Sequence, residues 1–94
     1  MMYLNKNIDG FVIEEIVLGG ILYIGKKEGK KYVLSISDNK SMQLSMGYDS
    51  IELFYAPVEN NASKSYIEAK IEQNGQHHSC PFSEIKEEYE KSLK

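Results

Sequence analysis

The sequence predicts a mainly β domain: an antiparallel meander of six to seven short strands, curled into a barrel or two-layer sheet and capped by one C-terminal amphipathic helix. Three observations lead there. Glycine- and Asn-bearing pairs interrupt runs rich in Ile, Val and Tyr at short intervals, the pattern of hairpin turns between strands. After Pro81 the apolar period switches from two to about 3.6. The chain has 94 residues, the length of one domain with a single modest core, so 1–94 reads as one unit. Within it, 1–9 is a tail or short strand and 81–94 is the helix.

Residues 11–18 and 21–27 flank Gly19-Gly20, which suits a two-residue turn because glycine takes positive φ freely. Glu28-Gly29 separates the second run from a third over 30–37. Two-residue turns at both places pair Leu18 with Ile21, Ile16 with Tyr23 and Tyr23 with Leu34. One face then carries Val12, Ile16, Leu18, Ile21, Tyr23, Tyr32, Leu34 and Ile36, and is the expected core face. The other carries Phe11, Ile13, Val17, Leu22, Ile24 and Val33, so the sheet is apolar on both sides and needs cover on both. In this register Glu14 faces Gly25 and Glu15 faces Ile24.

Asp38-Asn39-Lys40 is the next break, before a strand over 41–46. A two-residue turn there sends Met42, Leu44 and Met46 to the second face, and a three-residue turn returns them to the first. A loop over 47–50 precedes 51–56, a fifth strand or a short helix capped by Ser50, stopped by Pro57. Residues 57–64 read as polar loop. Residues 65–73 alternate, with Ile67, Ala69 and Ile71 on one side, and Asn74-Gly75 turns the chain into 76–80. That turn pairs Glu72 with His77, Ile71 with His78 and Ala69 with Cys80. In the helix, Phe82, Ile85, Tyr89 and Leu93 share one face, expected to be buried, while Glu84, Glu88 and Lys91 face water. Pro81 suits the first helical position. In element order the chain is similar to pleckstrin-homology-like domains, an analogy of outline alone.

Composition narrows function mainly by exclusion. The chain has 11 lysines, no Arg, no Thr and no Trp, a bias that an AT-rich bacterial or phage genome produces. Without Arg, an anion site has to use lysines, hydroxyls or backbone amides. Net charge is −3, with six lysines against five acids in 1–47 and five against nine in 48–94. No basic face is expected, so nucleic acid is not an expected partner. The longest apolar run, residues 16–24, is too short to span a bilayer, and no apolar leader opens the chain, so membrane association is not expected and a cytoplasmic location is. A single Cys fits a reducing compartment.

Two surfaces are candidates for binding. Phe11, Ile13, Val17, Leu22 and Ile24 put five large apolar side chains on one face, to be covered either by the chain itself or by a protein partner, including a second copy of the chain. Lys26, Lys27, Lys30 and Lys31 crowd one hairpin tip, with Lys27 opposite Lys30 and Lys26 opposite Lys31, a like-charge conflict that an acidic ligand would relieve. His77, His78 and Cys80 are the one cluster of soft ligands. Two of them share a strand face, short of the three or four that zinc needs, so neither a metal nor a cofactor is expected. Cys80 at a helix N-terminus beside His78 is the candidate nucleophile if the protein is a thiol enzyme. No catalytic constellation is complete. The leading expectation is therefore a non-enzymatic protein-binding module of inhibitor, immunity or adaptor type. A pleckstrin-like phosphate or acidic-ligand domain using the lysine tip and a small thiol enzyme are the alternatives.

Overall fold

A computed structural model describes residues 2–58 and 61–94. The strands are β1 (Asn7–Ile8), β2 (Phe11–Val17), β3 (Leu22–Lys27), β4 (Lys30–Ser37), β5 (Lys40–Gln43), β6 (Ser50–Val58), β7 (Asn61–Gln73) and β8 (Gln76–Pro81), followed by helix α1 (Phe82–Ser92). They form two antiparallel meanders, β1-β2-β3-β4-β5 and β6-β7-β8. The mainly β fold with its C-terminal helix is the one expected, with eight strands because the N-terminal segment contributes the short β1. Residues 51–56 belong to a strand. The loop expected over 57–64 is largely hairpin, since β6 runs to Val58 and β7 starts at Asn61; the remainder of that loop, residues 59–60, lies outside the described residues.

Asp9-Gly10, Glu28-Gly29, Asp38-Asn39 and Asn74-Gly75 each turn a hairpin with both residues at positive φ. That turn matches the right-handed twist of the strands it joins. The Asp38-Asn39 turn has two residues, so Met42 pairs with Ser35 on the side of Val33. Leu44 and Met46 then fold in against the core, while Met42 stays exposed. The Gly19-Gly20 turn is wider than expected: Leu18–Gly20 form a 3-10 turn, with Leu18 and both glycines at positive φ. The expected pairs Ile16 with Tyr23 and Tyr23 with Leu34 are kept.

A β-bulge corrects the face assignment. Ile13 pairs with Gly25 and Glu15 with Ile24, leaving Glu14 as the extra residue. One inserted residue reverses the side on which everything before it points. Phe11 and Ile13 therefore join Leu34 and Ile8 on the concave side of the first sheet, with Tyr3, Tyr23, Tyr32 and Ile36 packed around them. Tyr3 meets Tyr23 edge-on at 5.7 Å between ring centroids, and Phe11 meets Tyr32 at 5.2 Å. Gly25 lies beneath this cluster, where a β-carbon would stand 2.7 Å from Leu34 Cδ1 and 2.9 Å from Phe11 Cβ. The curled sheet is drawn nearly closed by Asp9, whose Oδ2 accepts hydrogen bonds from Ser41 N at 2.7 Å and Ser41 Oγ at 2.9 Å.

The larger core forms on the opposite side, not on the face expected to carry it. Leu22, Ile24 and Val33 pack there against Tyr48, Ile51, Leu53, Ala69, Cys80, Phe82 and Ile85, which joins both sheets and the helix. Val12 and Ile21, assigned to the expected core face, are exposed. Residues 44–49 carry the chain between sheets. Leu44 N donates to Val33 O, and fully buried Ser45 then takes over: its Oγ accepts from Val33 N at 3.0 Å and donates to Met46 O at 2.8 Å. Tyr48 pairs with Lys31 through both backbone hydrogen bonds, a single bridge that ties the crossing segment to β4.

Helix α1 starts one residue later than expected, with Pro81 as its N-cap and Phe82 first. Phe82 and Ile85 are buried and Tyr89 half-buried, but Leu93 is exposed because it lies beyond the last helical residue. Among the described residues no helix is long and apolar enough to cross a membrane.

Candidate functional site

The apolar residues assigned to a binding face are mostly interior. Phe11, Ile13, Leu22 and Ile24 are all buried within the single chain, the first two in the smaller cluster and the last two in the larger. Val17 is half-buried against the larger core. The bulge splits the set between two sides of the sheet, so these residues do not form one surface.

The lysine tip is occupied from within. Lys30 Nζ lies 2.6 Å from Asp49 Oδ1, and Lys31 Nζ lies 3.5 Å from Glu14 Oε1, the bulge residue. Lys27 Nζ sits 4.9 Å over the ring of Phe11, a cation–π contact. The conflict of Lys27 with Lys30 and Lys26 with Lys31 is thus relieved by groups of the same chain, leaving exposed Lys26 without such a contact among the described residues. Asp49 also joins the β3–β4 and β7–β8 turns, because its Oδ2 accepts from Asn74 N at 2.9 Å. The hydrogen bond from Lys30, then that from Asn74, holds the Asp49 carboxyl below the ordinary carboxylate range. The sequence offered no signal for this pairing, because the partners come from three separate segments.

His78 and Cys80 fall on one face of β8, opposite Ile71 and Ala69 as expected, and His77 pairs with Glu72. The strand ends at Pro81, and the first turn of α1 brings Glu84 back toward them. The ligand atoms of His78, Cys80 and Glu84 all lie within 4.8 Å of one another, with His78 Nε2 3.9 Å from Glu84 Oε2. Cys80 is buried, with the Glu84 carboxylate within 4.8 Å of its sulfur. Burial first, and Glu84 second, push its pKa up to about 11. The expectation of a depressed thiol pKa is therefore reversed: desolvation, aided by the surrounding carboxylates, keeps the group a neutral thiol near pH 7.

One exposed surface was not anticipated. Ile21, Tyr55 and Tyr66 are 59%, 53% and 41% exposed and line one open groove of about 490 Å³ with Ile67, Phe82, Ser83 and Lys86. Its walls come from the wide Gly19-Gly20 turn, the far part of the β6–β7 hairpin and the first turns of α1. Lys86 is its one charged wall residue and has no ion pair among the described residues. A hydrogen bond to the Glu68 carboxylate, and then its charge, hold the Tyr66 phenol above its ordinary pKa.

Comparison with protein-family models, curated proteins and solved structures gives no match, so the reading of function rests on these surfaces.

Proposed function

We propose that the protein is a non-enzymatic protein-binding module of inhibitor, immunity or adaptor type, acting in a reducing cytoplasm and docking its partner in the groove of Ile21, Tyr55 and Tyr66. The observation that carries this reading is a single depression lined by Ile21, Tyr55 and Tyr66, three large residues that are each well exposed. Tyr is enriched among the residues that dominate binding energy, because it brings a large rigid apolar surface and a polar tip together. A partner that inserts an apolar side chain and places a carboxylate over Lys86 fits both the walls and the charge. The neutral thiol of Cys80 speaks against nucleophilic catalysis, and the internal contacts of Lys27, Lys30 and Lys31 speak against an anion site at the lysine tip.

The test is capture by the tagged full chain from its native cells, repeated with Ile21→Ser/Tyr66→Ser and with Lys26→Ser. The expected result is a partner retained by the wild type and Lys26→Ser but reduced about tenfold or more by the groove variant, since hot-spot truncation costs about 2 kcal/mol or more. Equal capture by the groove variant, or selective loss with Lys26→Ser, overturns the reading.

A further inference from the structure

We propose that His78, Cys80 and Glu84 form a binding site for a borderline-soft divalent transition metal of the zinc class, one that pins the edge strand β8 to the first turn of α1. This rests on residues separate from the docking groove's exposed walls and stands or falls independently of that reading. Strand periodicity sets His78 and Cys80 on one side of β8, and Glu84 is the third residue of the helix that follows. Their ligand atoms already cluster within 4.8 Å, and His78 Nε2 and Glu84 Oε2 are 3.9 Å apart. Tetrahedral zinc, with bonds of roughly 2.0–2.3 Å, sets its ligand atoms roughly 3.3–3.8 Å apart. The cluster therefore has to contract by about 1 Å at its widest separation, a distance that side-chain rotation covers. His78 and Glu84 keep 64% and 62% of their side chains exposed, so both are free to rotate inward.

The donor chemistry selects the ion. A thiolate with an imidazole suits zinc-class metals, whereas calcium and magnesium demand oxygen ligands. The local field has the right sign as well. Glu84, Glu68 and Glu88 all act electrostatically on Cys80, and among the described residues no lysine pairs with any of them. A divalent cation supplies the missing positive charge and takes the place of the Cys80 proton, which is released to solvent on binding. Three protein ligands leave a fourth position for water.

Cobalt(II) is the probe, added to the full chain at neutral pH with a phosphine reductant that does not compete as a thiol. The expected result is saturation at a single ion per chain with a thiolate-to-cobalt charge-transfer band. Cys80→Ser should abolish the band. His78→Ala and Glu84→Gln should each weaken binding about tenfold or more, while His77→Ala, on the opposite side of the strand, should leave it unchanged. His78 and Glu84 are exposed, so their variants decide the question even if Cys80→Ser fails to fold. Absence of a saturable thiolate band, equal weakening by His77→Ala and His78→Ala, or one ion shared by two chains overturns the proposal.

Discussion

Ser45→Ala removes one oxygen from a position with no solvent exposure, and the structure says what is left behind. At this point the chain departs from β5, and the hydroxyl replaces a backbone carbonyl as the acceptor for Val33 N at 3.0 Å. Val33 is itself fully buried, so water cannot readily reach the orphaned amide. A buried donor left unsatisfied costs about 1–3 kcal/mol. The carbonyl of Met46 also loses its 2.8 Å donor, which places the expected loss in the upper part of that range. For a domain of this length each kcal/mol lowers the melting temperature by about 4–8 °C. Urea unfolding followed by circular dichroism should show a lower midpoint with an unchanged slope, and native-state hydrogen exchange should show the Val33 amide losing protection beyond the global change. A loss under about 0.5 kcal/mol, with the Val33 amide protected as in the wild type, refutes the role assigned to Ser45.

Gly25→Ala forces a β-carbon within 3 Å of Leu34 and Phe11, so the smaller cluster has to shift; an overpacking loss of about 1–3 kcal/mol is expected by urea unfolding, and a neutral result would show that the cluster yields freely. Asp9 is held below the ordinary carboxylate value by hydrogen bonds from Ser41, and Asp49 by Lys30 and Asn74. A depressed folded-state pKa contributes stability above the unfolded value of about 3.9 that is lost as the pH falls through the folded one. The urea midpoint should therefore fall on acidification below about pH 4, and less steeply in Asp9→Asn and Asp49→Asn, whose amides do not titrate; an unchanged slope in both removes these carboxylates from the acid transition.

Hairpins were readable in the sequence because their determinants are local. Glu28-Gly29 and Asn74-Gly75 supply the positive φ angles that their turns require, and their position fixes the register of both flanking strands. The bulge was not readable, because Glu14 and Glu15 are chemically alike and nothing marks either as inserted. That single residue decided the side taken by Phe11 and Ile13 and turned a supposed binding face into two pieces of interior. The pairing of His78 and Cys80 followed from strand periodicity, while Glu84 reaches them only through the change of direction at Pro81. Tyr55 and Tyr66 belong to one hairpin, but Ile21 and the first turns of α1 come from distant segments, so their common groove is a product of tertiary packing.

Within each sheet every strand pairs with its sequence neighbour, which has a consequence for the nascent chain. Hairpins can close in the order in which they leave the ribosome, since no early strand waits for a distant partner. The larger core does not share that advantage. Leu22, Ile24 and Val33 are synthesised early, but the side chains that cover them include Ile51, Leu53, Phe82 and Ile85. At translation rates of about 5–20 residues per second, the roughly fifty residues between Val33 and Ile85 take roughly 3–10 s. For that interval a finished hairpin presents bare aliphatic surface to solvent, which makes β3 and β4 the segment on which chaperone engagement or premature self-association would act.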